Sequence, residues 1–197
     1  MEAREAIMDA FCTCLAARPL EAISVAEICA AAGVSKKTYY NHFQSKQDIV
    51  SAVIDRDFFL PQRQMRKSLF PKQLQENPIL LVGLTYETLY QKREFYQTLI
   101  ANIGKASFMG TFAELSREMN EEIYAANREL SVDEATELEY FCMFLATTSA
   151  QSLMWWMERG FTPTSEKMAI LFYEWSFARL ENGDTPYPEM CAATARK

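Results

Sequence analysis

Three serines in the first quarter of the chain stand where helices begin, and their spacing predicts a run of short helices. Ser24 is followed three residues later by Glu27, the pattern of a capping box in which hydroxyl and carboxylate each bind a backbone amide. Ser35 and Ser45 are predicted to cap the next two helices. Gly33 follows the first helix, where a left-handed residue commonly ends it. The segment should therefore fold as two short helices joined by a tight turn, with a third beginning at Ser45.

Elsewhere the apolar periodicity is helical, and no run alternates convincingly with a period of two. Residues 3–17 place Ile7, Phe11, Cys14 and Leu15 on one face of a first helix. We expect an all-α fold of about nine helices, with a three-helix N-terminal unit and a larger C-terminal helical bundle. The later helices are predicted over residues 45–61, 78–102 with a break near Lys92, 106–129, 132–159 and 165–182.

The composition is that of a globular protein without a membrane span. Of the 197 residues, 49% are apolar and 23% are charged, and no stretch of about 18 uninterrupted apolar residues occurs. The first residues carry acids where a signal peptide needs bases, and no long apolar region follows them. We therefore expect a cytoplasmic protein that does not contact a membrane.

The net charge of −6 is unevenly distributed along the chain. Residues 1–50 hold five bases and six acids, whereas residues 51–197 hold 15 bases and 20 acids. Residues 35–47 contain three lysines and no acid. The acidity therefore lies mostly outside the segment that begins at Ser35, which can face nucleic acid.

The chain offers few groups for metal binding or catalysis. Cys12 and Cys14 are two residues apart, so on a helix they point about 200° apart and cannot bind the same metal ion. The chain has five cysteines and a single histidine, and it has no Gly-rich phosphate loop and no paired acid and base. We expect no metal site, no cofactor and no enzymatic activity.

The segment from Ser24 to Lys46 meets the physical requirements of a helix-turn-helix. Ile28, Cys29 and Ala32 give its first helix an inward face, and Tyr39 and Phe43 can hold the second helix against it. The side chains left outside are polar groups suited to phosphates and base edges. They are Lys36, Lys37, Tyr40 and Asn41.

Residues 24–46, SVAEICAAAGVSKKTYYNHFQSK, resemble the signature of the TetR family of transcription regulators. The resemblance implies that Ser24 and Lys46 anchor phosphates, that Lys36, Lys37 and Thr38 approach bases or phosphates, and that Tyr40 and His42 contact the DNA backbone. His42 has a second interpretation, a hydrogen bond within the protein. The DNA-binding residues expected are Ser24, Ser35, Lys36, Lys37, Thr38, Tyr40, Asn41, His42 and Lys46.

Two positions depart from the family pattern. Lys37 stands where the family very often has Gly or Pro, and it is expected to add a phosphate or guanine contact. Tyr39 stands where Leu, Ile or Phe is usual, and its hydroxyl is expected at the edge of the groove.

The resemblance also implies roles for the rest of the chain. We expect a DNA-binding domain over residues 1–50, a dimerisation and effector-binding domain over 51–182, and a loose tail over 183–197. The dimer is expected to form through the last two long helices, over 132–159 and 165–182, with Phe141, Phe144, Leu145, Thr148, Leu153 and Trp156 on one face and Ile170, Leu171, Tyr173, Phe177 and Leu180 on the other. Aromatic and methionine side chains at helical spacing are ordinarily core residues, and this interpretation stays open for each candidate. If an effector binds, it is expected to be apolar or aromatic, and the candidate pocket residues are Phe95, Tyr96, Phe108, Met109, Phe112, Tyr124, Phe141, Met143 and Trp155.

The resemblance thus predicts a dimer that binds a palindromic double-stranded operator through the helix at 36–42 and represses until a small effector releases it. A second hypothesis is a coactivator, a protein-interaction module with the same fold that acts through a partner regulator. Its basis is the net negative charge together with residues 152–172, which resemble a branch typified by regulators near dihydroxyacetone kinase genes, some of them coactivators.

Overall fold

The structure, a computed structural model, describes residues 2–68, 79–124 and 129–178, and over these residues it is all-helical. The prediction of an all-α fold with about nine helices is confirmed for this part of the chain. The nine helices are α1 (Ala3–Ala17), α2 (Val25–Ala32), α3 (Lys36–His42), α4 (Lys46–Ile54, continuing through Asp55–Phe59 and Leu60–Ser68), α5 (Ile79–Gln91), α6 (Arg93–Ile103), α7 (Lys105–Tyr124), α8 (Val132–Glu158) and α9 (Ser165–Tyr173, continuing through Glu174–Ala178).

The predicted caps are present at the starts of α2, α3 and α4. The Ser24 hydroxyl accepts from the Glu27 amide at 3.2 Å, and the Glu27 carboxylate accepts from the Ser24 amide at 2.8 Å. Ser45 forms the same reciprocal box with Asp48. Ser35 accepts from the amide three residues later, at 3.0 Å. These local bonds satisfy backbone donors that the first turn of a helix leaves free.

The helix α4 runs through Pro61, although we expected it to end there. A proline lacks the amide that would bind the carbonyl four residues earlier, which is that of Asp57. In the structure the Lys92 ammonium donates to this carbonyl at 2.9 Å, from the junction of α5 and α6. The preceding turn, Asp55–Phe59, is π-helical, and the Leu60 amide bonds to the Asp55 carbonyl. A side chain distant in sequence therefore compensates for the lost backbone bond, and α4 extends to Ser68.

The N-terminal helices α1 to α3 (here called the head) are joined to the C-terminal helices α5 to α9 (the body) by α4 and by polar contacts. The Asn102 amide of α6 donates to the Leu15 carbonyl near the end of α1, at 2.8 Å. At the start of α4 the Gln47 amide donates to the Thr111 hydroxyl of α7, at 3.0 Å. The orientation of the head therefore depends on α6 and α7 of the body. The domain boundary near residue 50 stays a prediction.

Half of the face of α8 that we expected to form a dimer is buried inside the subunit. Leu145, Leu153 and Trp156 are each 3% exposed or less and pack inside the subunit. The Trp156 ring meets the rings of Tyr86 and Phe161, with centroids 5.4 and 5.0 Å away. These three residues of α8 therefore stabilise the body itself, in which α8 packs mainly along α7 and Trp156 meets α5 and the turn before α9. Phe177, Leu180 and the tail over 183–197 lie outside the residues whose side chains are described.

Candidate nucleic-acid interface

The helix α3 is held in the head by two aromatic side chains on its inner side. Tyr39 is fully buried and Phe43 is 3% exposed, with ring centroids 6.2 Å apart. The Arg4 guanidinium of α1 lies over the Phe43 ring, 5.3 Å from its centroid. The sequence reasoning missed this Arg4 contact, because nothing in the local pattern pairs residues so far apart in the chain. The inner side of α3 is thus fixed against the head, and the outer side is left to solvent.

The buried state of Tyr39 corrects one expectation. Its hydroxyl does not reach the edge of the helix; it lies in the core without a hydrogen-bond partner. Burial raises the pKa of this phenol to about 12. Tyr39 therefore supports α3 through its ring, and its oxygen is not available to DNA.

The outer side of α3 presents the polar groups that were predicted to meet DNA. Lys36, Lys37, Tyr40, Asn41 and His42 are all exposed, with Tyr40 at 56%. Within the described part of the chain, the side chains of the two lysines, Asn41 and His42 have no hydrogen-bond or ion-pair partner. The Tyr40 ring packs edge-on against Tyr39, with centroids 5.1 Å apart, which orients it. These groups are free to bind phosphates and bases.

Thr38 differs from its neighbours on α3. It is half-buried, and its hydroxyl lies 2.9 Å from the Ser35 hydroxyl, so that each oxygen already has a partner. A DNA contact by either residue would therefore share a hydroxyl with the cap.

The three capped helix starts differ in charge, which the pattern of serines alone does not reveal. At the start of α2 the Ser24 amide and hydroxyl both donate to the Glu27 carboxylate, lowering the pKa of Glu27 to about 2. At the start of α4, hydrogen bonds led by the Ser45 hydroxyl lower the pKa of Asp48. The first turn of α3 contains no acid and carries two lysines. Among these three starts, α3 is the one where a phosphate meets positive charge without a neighbouring carboxylate.

Lys46, predicted to anchor a phosphate, is half-buried at the start of α4, and its ammonium is hydrogen-bonded to the head. Its ammonium donates to the carbonyls of Leu20 and Ile23, at 2.5 and 2.7 Å. These carbonyls belong to the 3-10 turn Leu20–Ala22 and to the residue after it, just before α2. The lysine therefore ties the start of α4 to the start of α2, and a phosphate contact by Lys46 stays a prediction.

The structure brings together about half of the residues predicted to line an effector pocket. Tyr96, Phe108 and Phe112 are buried and in ring contact. The Phe108 ring lies between the other two, with its centroid 6.2 Å from that of Tyr96 and 5.7 Å from that of Phe112. Phe95 packs on Tyr96 at 5.3 Å, and Met109 lies against the same core. The Tyr96 hydroxyl is buried without a partner, and burial raises the pKa of this phenol.

The other predicted pocket residues are placed differently. Met143 and Trp155 are each 45% exposed on the outer side of α8, so they do not line this aromatic cluster. Phe141 is half-buried on α8, and the side chain of Tyr124 lies outside the described residues. A charged groove also lies between α1, α4 and α7, with Arg4, Asp48 and Glu118 in its wall. Its lining does not match the apolar effector that the sequence predicted.

None of the helices in the described ranges combines the length and the apolar character that crossing a bilayer requires. Over the same ranges, no group of three or more His, Cys, Asp and Glu residues could hold a metal ion.

Comparison with known families agrees with the geometry of the head. Residues 7–53 match the family model described as bacterial regulatory proteins, tetR family. Residues 76–176, more than half of the chain, match the model of a transcriptional regulator C-terminal region. A search of curated proteins returns no significant match. The head carries a helix-turn-helix with an exposed polar α3, and the two models together cover head and body. The chain belongs to the TetR family of bacterial transcription regulators.

Proposed function

We propose that this regulator is a homodimeric repressor that binds a palindromic operator through α3 and is released by a small apolar or aromatic effector. The observation that carries the DNA-binding part is the division of α3 into two sides. Tyr39 and Phe43 are buried on one side, and unpartnered polar groups are exposed on the other. A recognition helix needs this arrangement, because it must be rigid toward its own domain and polar toward the major groove.

The test is a gel-shift titration with the double-stranded DNA upstream of the protein's own gene. We expect a complex at low salt whose affinity falls steeply as the salt concentration rises, because phosphate contacts release counterions. Repression follows if adding the protein lowers transcription from the same DNA in a purified system. If no protein–DNA complex forms at low salt, the proposal is wrong.

The dimer is supported by an exposed apolar stripe along α8. Tyr140, Phe144 and Trp155 are 67%, 41% and 45% exposed, and they recur at intervals that keep them on one side of the helix. Met143 lies beside them at 45%. Thr147 and Gln151 lie between Phe144 and Trp155 on this side, so the exposed surface combines apolar and polar groups, as protein interfaces do. A dimer also supplies the two recognition helices, about one DNA turn apart, that a palindrome requires.

The matched experiment places a carboxylate on this stripe. Phe144→Glu is expected to give a monomer in sedimentation analysis and to weaken operator binding. Gln97→Glu adds the same carboxylate to an exposed position of α6 and serves as the control, with dimer and binding retained. A Phe144→Glu protein that stays dimeric would show that the interface lies elsewhere.

Release by an effector is supported by the aromatic cluster in the body and by its link to the head. The Tyr96 hydroxyl is a buried polar group without a partner, which is rare in folded proteins and is satisfied when a ligand supplies one. Its ring lies beside Phe108 of α7, the helix that also holds Gln47 of α4. A ligand that favours one arrangement of α7 would change the spacing of the two heads. A panel of planar aromatic compounds, screened by thermal shift and by gel shift, tests this step.

The net charge of −6 and the resemblance of residues 152–172 favour the coactivator as a second candidate; within residues 51–197 the 20 acids exceed the 15 bases. In that case the apolar stripe on α8 would receive a partner regulator in place of a second copy. Co-purification with such a partner, without any DNA affinity of the protein alone, would favour this candidate over the repressor.

A further inference from the structure

Two polar side chains stand on the side of α3 that faces away from the head. Successive residues of an α-helix are about 100° apart around its axis. The buried Tyr39 and Phe43 define the inward direction. Asn41 then points almost directly outward, and Lys37, one turn earlier, lies about 40° from it on the same side. Both residues are exposed, and neither side chain has a partner within the described part of the chain.

The other polar residues of α3 lie to the sides of this outward direction or are engaged. Tyr40 and His42 lie about 100° from it, one on each side, where a helix in the major groove faces the sugar–phosphate backbone. Lys36 lies farther round, toward the buried side. Thr38 is near the outward side, but its hydroxyl is engaged with Ser35. Lys37 and Asn41 are therefore the free polar groups of α3 that face the floor of the groove.

The chemistry of these two side chains selects different bases. A lysine ammonium has three donors and no acceptor, which matches the O6 and N7 acceptors of guanine. An asparagine amide has both a donor and an acceptor, which matches N7 and the N6 amino group of adenine. Four residues of helix span about 6 Å, and successive bases on a strand are about 3.4 Å apart. The two contacts therefore fall within about two base steps.

We propose that each operator half-site contains a guanine read by Lys37 and an adenine read by Asn41, within two base steps of each other. This inference rests on the proposed function, because it requires that α3 enters the major groove. It specifies the class of DNA sequence that the regulator binds, and it makes these two residues the determinants of that sequence.

The experiment selects binding sites from a library of random double-stranded DNA with the full-length protein. The wild type is expected to enrich an inverted repeat with guanine and adenine in each half. Lys37→Ala should lose the guanine preference alone, by on the order of tenfold per half-site, and Asn41→Ala should lose the adenine preference alone. Lys37→Arg should retain guanine, because a guanidinium also binds O6 and N7.

Lys36→Ala is the matched control for charge. It should weaken binding to all sequences alike, with the base preference unchanged. The negative slope of log K against log salt should become shallower by about 0.9 for each charge removed. All of these positions are exposed, so circular dichroism should show intact helices. If wild type and both alanine variants enrich the same bases, the inference is overturned, although binding through α3 stands. If the wild type enriches no sequence at low salt, the proposed function fails and the inference fails with it.

Discussion

The hydroxyl of Tyr39 is buried in the head with no hydrogen-bond partner, so its removal should stabilise the protein. Leaving a polar group unpaired in the core costs about 1–3 kcal/mol in folding free energy. Tyr39→Phe removes that oxygen and keeps the ring that contacts Tyr40 and Phe43. We expect the free energy of unfolding to rise by about 1 kcal/mol, or Tm by about 2–4 °C for a chain of this size.

Two further tyrosines make the comparison internally controlled. The Tyr96 hydroxyl in the body is also buried and unpartnered, so Tyr96→Phe should stabilise by a similar amount. The Tyr86 hydroxyl is instead paired with the Ser152 hydroxyl at 2.7 Å. Tyr86→Phe breaks this bond and should destabilise by about 1 kcal/mol. Replacing Tyr by Phe is therefore expected to raise the free energy of unfolding at the two unpaired hydroxyls and to lower it at the paired one.

The assay is urea unfolding followed by circular dichroism, at one fixed protein concentration because a dimer couples stability to concentration. Equal m-values are required for the comparison of midpoints. If Tyr39→Phe and Tyr96→Phe both lose about 1 kcal/mol, as Tyr86→Phe does, their hydroxyls have partners and the reasoning from unpaired oxygens is refuted.

Four other predictions follow from the head. The pKa of Tyr39 is raised from its ordinary value of 10.0 to about 12 in the folded protein, so the contribution of the neutral phenol to stability is complete below pH 10 and is lost as the pH rises toward 12. In thermal melts over this pH range, Tyr39→Phe should lose less stability than the wild type. The pKa of Glu27 is lowered from 4.5 to about 2, so its contribution is present above pH 4.5 and lost as the pH falls toward 2; acid titration of Glu27→Gln should lack that part of the loss. Tyr40→Ala should weaken operator binding in gel shifts without changing the salt slope, because no charge is removed. Lys46→Met should lower the unfolding free energy by about 1–3 kcal/mol, because two carbonyls lose a charged donor; unchanged stability in urea unfolding would show that these two hydrogen bonds do not stabilise the fold.

The capped starts of the helices were predictable because the interactions that form them are local. Ser24 and Glu27 are three residues apart, and their reciprocal bonds require nothing from the rest of the fold. The left-handed Gly33, with φ of 66°, is likewise a property of a single position after the helix. The helix-turn-helix and its outward-facing lysines could therefore be inferred from neighbouring residues.

The tertiary structure decided which side of a helix is buried wherever apolar residues occur on more than one side. On α8 the sequence offers both Phe144 with Trp155 and Leu145 with Trp156, and periodicity alone does not choose between these sets. Only the packing of α8 within the body, mainly along α7, buries the second set and exposes the first.

Long-range contacts also decided where local rules failed. Pro61 predicts the end of a helix, yet α4 continues through it, and the Asp57 carbonyl that Pro61 cannot pair accepts from Lys92, 35 residues after Asp57. The phosphate contact that the family resemblance implies for Lys46 stays a prediction, but no local pattern indicates that two carbonyls before α2 accept from its ammonium. The sequence by itself determined the helices, their caps and the polar side of α3, because these depend on residues within one turn of each other. The tertiary structure alone decided the course of α4, the apolar side that α8 leaves exposed and the carbonyl partners of Lys46 and Lys92. These features depend on atoms that lie far apart in the sequence.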